Sequence, residues 1–415
     1  MNTPRRRHAR NILFCSVAIA LAAPHNALAA SATLPTGGVV RSGQASIAAS
    51  GSGALTISQS SKAAIIDWSG FSLGQGGAVQ FNNGSGATLN RVLSGGPISS
   101  INGLLSATGS VYLINLSGVI IGKNEVVKVG GTFAASTLDV DDSAFLNGGS
   151  LTFSGPSKAS VVNLGKVEAL GGDVVLAAAV VKNAGFLQAP NGDVGLLAGY
   201  TVTMKDLADK DGLFTVDFGG AGASVINQGV ISAAAELRAN GGNIYALAGD
   251  TASVIKATQV SNQGGKIFLT APGGAVNVAP GVTPDAFGTG FGSGGHILVD
   301  SANTSFHGTA LAKGGALGGD GGLIETSGDV LDFSGAKADI TAAHGATGTW
   351  LLDPYDLTVD TTGAQALENG LLTNNVTLQT TASSATTGYG TVNASGLLTL
   401  VKLGSEGIMR MERMR

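Results

Sequence analysis

The side chains able to do chemistry are few and far apart. After residue 30, histidine occurs at His296, His307 and His344, with no H-E-x-x-H box and no i, i+4 pair to place two imidazoles on one zinc ion. They read as solvated turn residues. Asp139, Asp141 and Asp142 cluster as calcium ligands do, but no ladder of acids accompanies them and the G-G-x-G-x-D form of calcium-binding coils is missing. They read as a solvated loop. Gly290, Gly292 and Gly295 spell G-x-G-x-x-G, which cradles a phosphate only where a helix follows to receive it, and no helical pattern follows here. Asp353, Asp356 and Asp360, beside Trp350 and Tyr355, are the one acidic group comparable to that of a polysaccharide-acting β-helix enzyme of the pectate lyase type, which is the alternative reading. No acid, base and metal set converges, so the sequence predicts no catalytic residue, no cofactor and no metal.

The elements that position these residues follow from composition and repetition. Of 415 residues 65 are Gly and 10 are Pro, with 44% hydrophobic and 12% charged. Sparse charge argues against disorder, and Gly without a three-residue period argues against collagen. Arg5, Arg6, Arg7 and Arg10 precede an apolar run over 12–23, and Ala27 and Ala29 form an A-x-A exit, the pattern of a secretory signal peptide cleaved after Ala29. Cys15, the one cysteine, lies inside it, so the mature chain must hold together without disulfides. Residues 30–400 carry 15 basic and 25 acidic residues, a net charge of −10 that repels phosphate backbones, so nucleic acid is not an expected partner.

Self-similarity sets the fold. From Asn163 the chain reads N-L-G-K-V-E-A-L-G-G-D-V-V-L-A-A, and from Asn183 it reads N-A-G-F-L-Q-A-P-N-G-D-V-G-L-L-A, a register-exact period of 20. A third copy starts at Asn227 and Gly229 and resumes after an insertion at Gly241, Gly242, Ile244, Ala246 and Ala248; fainter copies begin at Asn262, Gly294 and Gly321. Apolar residues alternate within each copy, so one copy is strand, turn, strand. Such a unit buries its apolar face only by stacking on the next. The prediction is an all-β, right-handed parallel β-helix with an amino-terminal cap, its recurrent asparagines stacked in an amide ladder and its recurrent glycines at corners. A β-sandwich is the competing fold, but it does not require an exact 20-residue repeat.

Between residues 31 and 140 the repeat loosens. Here W-S-G-F-S-L-G with Trp68 and Phe71, then N-R-V-L with Asn90 and Arg91, then S-I-N-G-L-L with Gly103, lead to Asn115, Leu116, Ser117, Gly118 and Val119. This run resembles the amino-terminal secretion domain of filamentous haemagglutinin-like exoproteins. The family's N-P-N-G-I box is altered, with Leu116, Ser117 and Val119 standing where Pro, Asn and Ile are expected. The resemblance implies two-partner secretion. An outer-membrane transporter would recognise the unfolded chain, with Asn115 and Gly118 acting through turn geometry and exposed amide hydrogen bonds. It further implies a secreted or surface-held, non-catalytic exoprotein of a Gram-negative bacterium, an adhesin meeting a host-cell or matrix surface through downstream regions. An autotransporter passenger would instead need a carboxy-terminal barrel pattern, which the sequence lacks.

The expected organisation is a signal peptide over 1–29, a secretion domain over 30–140, a repeat rod over 141–360, a further β-rich segment over 361–400 and an atypical basic tail over 401–415. Met409, Met411 and Met414 crowd that tail with three Arg, as in a truncated or frame-shifted chain. Amino-terminal sequencing of secreted material is expected to start at Ala30 or within two residues of it; a secreted protein still beginning at Met1 would refute the signal reading.

Overall fold

A computed structural model describes residues 32–123, 125–205, 214–246, 254–256, 265–355, 357–378, 391–392 and 398–400. The chain divides into two compact units, 1–31 and 32–415, and every described residue belongs to the second. The expected signal segment with Ala27 and Ala29, the tail 401–415, Asn262 and Asp356 lie outside the described residues.

Short alternating strands without hairpin partners must pair with the next copy of themselves, and the chain winds accordingly into a parallel β-helix with three faces. The first face stacks Ser99–Ile101, Val119–Ile121, Ser160–Asn163, Val180–Asn183, Ser224–Asn227 and Asn243–Ala246, each parallel to the next. The second stacks Ala54–Gln59, Ala78–Asn82, Leu104–Ala107, Val126–Val129 and Lys166–Ala169, and finishes with Thr283–Asp285, Thr309–Leu311 and Lys337–Asp339. The third runs from Ala63–Trp68 through Ala87–Val92, Ser110–Ile114, Phe133–Ser136 and Val174–Ala178 down to Thr349–Pro354 and Asn375–Leu378. Val174 stands on Val194 and Leu176 on Leu196, all four wholly buried, so the 20-residue period is one coil.

One vertical column of the third face shows how the core is built. It runs from Ile66 through Leu113, Ala135, Leu176, Leu196, Leu237, Leu269 and Leu352 to Leu378, every register partner lying one coil away. Two polar residues interrupt the lower and upper parts, Asn90 and Thr326, both wholly buried. Each is answered by one of the chain's two tryptophans: Trp68 Nε1 donates to Asn90 Oδ1 at 3.0 Å, and Trp350 Nε1 donates to Thr326 Oγ1 at 3.1 Å. Each indole also meets a phenylalanine edge to face, Trp68 with Phe71 at 5.3 Å and Trp350 with Phe333 at 6.1 Å. The indoles lie toward opposite ends of the core.

The amide ladder is present. Asn163 Nδ2 donates to Asn183 Oδ1, and Asn183 Nδ2 to Asn227 Oδ1, both at 2.8 Å and wholly buried. The corner glycines beside it serve close approach: a Cβ on Gly185 would stand 2.1 Å from the Gly165 oxygen. The third copy departs from its expected register. Ile244 does not join the Val174 and Val194 column but stacks on Val225 of the first face, while Ala235 and Leu237 continue the third. The reason is that Val230–Ala239 runs on as one strand, and Gly241, at φ +67°, turns the corner into a new coil.

The amino-terminal end is closed by antiparallel pairing, Val39–Ser42 on Ala63–Trp68 and Ala45–Ala49 on Ala54–Gln59. Outward-facing apolar residues of the third face, among them Ile65, Leu89, Tyr112 and Val175, form a second core under an antiparallel sheet of Asp139–Val140, Leu151–Ser154, Thr201–Met204 and Phe214–Phe218 and a short helix α1, Asp142–Asn147. The segment 361–400, expected to be β-rich, opens instead on helix α2, Thr361–Leu371, before the strand Asn375–Leu378. Its Gly363, Ala366, Leu367 and Gly370 are the buried face, a 3.6-residue pattern too small-residued to stand out as an amphipathic helix.

Because Leu176 is enclosed by the coils on both sides, Leu176→Asp is expected to cost about 4 kcal/mol or more in urea unfolding by burying an unpaired charge. Lys128→Gln, on an exposed outward position in register with Glu168, should stay within about 0.5 kcal/mol of the natural chain.

Candidate recognition site

The five box residues form the corner between the third face and the first. The Asn115 N–H donates to the Ser136 oxygen at 2.9 Å, and its carbonyl accepts from Gly118 N at 3.0 Å, closing a tight turn. The side chain completes the corner: Nδ2 donates to the Pro97 oxygen at 2.8 Å and to Ser99 Oγ at 2.9 Å, while Oδ1 accepts from Ser117 N at 2.9 Å. Gly118 sits at φ +122°, where a side chain would be strained. The Ser117 hydroxyl donates to the Gly96 oxygen, and the Leu116 carbonyl accepts from Ser157 Oγ. Val119 stacks between Ser99 and Val161.

The corner therefore binds three successive coils together. Asn115 is 1% exposed and its amide is spent within the fold, which corrects the expectation of exposed amide hydrogen bonds. The reason is geometric: an asparagine at a coil corner faces the backbone of the neighbouring coil, and that backbone takes its donors.

The other family-like residues divide. Trp68, Phe71 and Asn90 are core, as described. Gly103 allows close approach, since a Cβ there would lie 2.3 Å from the Gly77 oxygen. Arg91 is different. It stands in register with Ile114, one residue before the box, and points outward. Its Nε donates to Asp139 Oδ1 at 2.9 Å and its Nη2 to the Val140 oxygen at 2.9 Å; Nη2 also pairs with Asp142 at 2.6 Å, and Nη1 lies 4.0 Å from Asp67. Burial works against the guanidinium charge, but Asp142 and Asp139 outweigh it and hold the group above its usual range.

The aspartates read as a solvated loop are thus structural. Asp139 belongs to a strand, Asp142 opens α1, and Asp141 caps that helix, with Ser143 and the Ala144 N–H holding its carboxylate below the ordinary range. The trace in sequence is the D-x-D-D spacing, but its partner is 48 residues away.

Of the histidines, His344 is exposed in a bend as expected, His307 lies between two strands, and His296 departs. His296 opens a strand, packs edge-on against Phe268, and lies 3.8 Å from Glu325 of the next coil; it is not a turn residue. His307 Nδ1 is 2.7 Å from the Ser334 oxygen. Among the described residues no group of three or more His, Cys, Asp or Glu is arranged to hold a metal ion.

The acidic trio of the enzyme reading does not assemble. Asp360 caps α2, donated to by Gly363 N at 2.7 Å, and Asp356 lies outside the described residues. Asp353 instead borders an open cleft of about 350 Å³ with Asp300, Asp329 and Tyr355. Burial, then Glu325, raises the Asp300 and Asp353 carboxyls above their ordinary range. Sequence reasoning missed Asp300 and Asp329, since nothing but coil stacking brings them to Asp353. No cation lines this cleft among the described residues, so the basic residue that a polysaccharide lyase would need is not supplied there.

Comparison with known proteins places this geometry. Residues 31–280 match the family model described as the TPS secretion domain. A heme/hemopexin-binding protein of Haemophilus influenzae is 35% identical over 256 residues, 57% of this chain and 27% of that protein; a second protein so named from the same species is 43% identical over 84 residues, 20% of this chain and 9% of that one. The chain thus spans about a quarter or less of the curated relatives it matches. Among solved structures, the HMW1 secretion domain from Haemophilus influenzae is similar with a TM-score of 0.55 and 26% identity, covering 77% of this chain and all of that one. The filamentous hemagglutinin secretion domain follows at a TM-score of 0.43 and 16% identity, over 73% of this chain and all of that one.

Arg91→Met is expected to destabilise the chain by about 2 kcal/mol, through loss of charge-assisted hydrogen bonds, as read by urea unfolding. Arg91→Lys should recover little of that, because one ammonium cannot reach Asp139, Val140 and Asp142 together.

Proposed function

The chain belongs to the TPS secretion domain family, and from that premise we propose that it is the export module of a two-partner-secreted exoprotein of the filamentous haemagglutinin type. Its partner is an outer-membrane transporter that reads residues 31–140 before they fold. The observation that supports this order of events is the burial of the box. Asn115 has no polar atom left to offer once Pro97, Ser99, Ser117 and Ser136 have closed on it. A transporter that reads Asn115 therefore meets it in the unfolded chain, and folding of the coils that end near Ser160 withdraws it.

The β-helix suits threading. Its contacts run between coils, so pairing is non-local and slow, and the chain stays open while it passes the pore. The closed amino-terminal end then offers the first coil as a template on which later coils add one at a time. Nothing in this sequence of events needs a catalytic residue, and the module is proposed as structural. Adhesion to a host-cell or matrix surface is proposed for the exoprotein as a whole, through sequences beyond this module.

Co-expression with the cognate transporter tests the reading. Deletion of residues 31–140 should abolish secretion, and Asn115→Ala and Gly118→Val should lower it at least severalfold. Secretion unchanged by the deletion, or proceeding without any transporter, would defeat it.

A further inference from the structure

Parallel stacking leaves the last strand of each face with a row of unanswered backbone groups. On the second face, Lys337–Asp339 pairs on one side with Thr309–Leu311. On its other side, among the described residues, no strand follows. Asn374 stands there instead. Its Nδ2 donates to the Ala338 oxygen at 2.8 Å, and its Oδ1 accepts from Ile340 N at 2.7 Å. In a parallel ladder, a residue opposite Asp339 would use its own peptide N–H and C=O for that same pair of bonds. One wholly buried side-chain amide thus takes the place of a strand.

The same amide is tied to α2, since Asn374 Nδ2 also donates to the Gly370 oxygen at 2.9 Å. The helix lies directly on the aromatic end of the core. A Cβ on Gly363 would stand 3.1 Å from the Phe333 ring, and one on Gly370 would stand 3.2 Å from the Trp350 ring. Two Gly and two Thr in eleven residues make a poor helix former, so packing and the Asp360 cap hold it in place. On the third face, Asn375–Leu378 is met by Leu398–Leu400 in antiparallel sense, the device that also closes the amino-terminal end.

We propose that α2 and Asn374 form an edge cap that keeps the Lys337–Asp339 strand from pairing with the same strand of a second copy of this chain. The edge is self-complementary. Antiparallel pairing about a two-fold axis through Ala338 sets Lys337 of each copy opposite Asp339 of the other, an attractive cross-strand pair that joins the Lys313 and Thr341 contacts Asp339 already makes. Without the cap, the open row of Ala338 and Ile340 and the Phe333–Trp350 end of the core would be exposed together, the combination that drives edge-to-edge association.

The test uses the secreted chain carrying Asn374→Leu, which keeps the branched heavy-atom skeleton and removes both edge hydrogen bonds. The Ile340 amide should exchange at least about tenfold faster than in the natural chain. Light scattering should then show dimers that increase with concentration, and adding Lys337→Asp, which sets like charges opposite each other, should return them to monomers. An unchanged Ile340 amide, a variant that stays monomeric at every concentration, or dimers indifferent to Lys337→Asp would each overturn the proposal. Amide exchange at Leu176 and Leu196 serves as the folding control: their protection should persist, and its loss would show that the cap supports the whole fold instead of guarding one edge.

Discussion

The parallel strands of each coil have their backbone satisfied by the coil above and the coil below. That constraint makes the register strict, because sliding a strand by one residue would turn its own member of the Leu113, Leu176, Leu196 and Leu269 column outward. It makes corners tight, so that Gly165, Gly185 and Gly229 stack where a Cβ would strike the carbonyl of the coil beneath. It also leaves a backbone edge wherever a face passes to no further parallel strand among the described residues. Such edges are met by antiparallel strands near the amino terminus, and by a helix, an asparagine and an antiparallel strand after residue 360.

The buried polar residues follow from the same constraint. An amide or hydroxyl inside a stack has no water and must find its partner about one coil away. Asn163, Asn183 and Asn227 find one another. Asn90 and Thr326 could not, since their register neighbours in the column are apolar, and each is served by an indole N–H instead. The two tryptophans therefore do two things at once, satisfying a polar residue and packing edge to face on a phenylalanine of the core.

Charge has a more local part. Arg91 fastens the start of the antiparallel sheet and α1 onto the outside of the β-helix, over a face that alternation alone would have left apolar and exposed. The same outer face lies one register position from the box corner, so the covering sheet and the box are consolidated together.

Repetition made much of this legible in the sequence. The 20-residue spacing of Val174 and Val194, of Leu176 and Leu196, and of Asn163 and Asn183 is a statement about spatial neighbours, because in a stacked coil a fixed sequence interval is a fixed distance. The resemblance around Trp68, Asn90 and Asn115 carried the family and its export route in the same way. What the interval could not carry is whatever breaks the period or crosses it. The insertion after Ala233 hid the true register of Ile244, since a continuous strand and an interrupted one have the same alternation. The aspartates at 139–142 looked solvated because Arg91 lies in an earlier coil. The box looked exposed because polar corners usually are, and the carbonyls that claim Asn115 belong to other coils. Helix α2 was hidden because Gly363 and Gly370 are poor helix formers on their own, and Phe333 and Trp350, which make those glycines useful, reach them only once the last coils are stacked. The sequence by itself determined the coil and its period, which depend on residues a constant interval apart; the tertiary structure decided the corners, the covering sheet and the ends, where the partners come from irregular distances and burial chooses which of them is used.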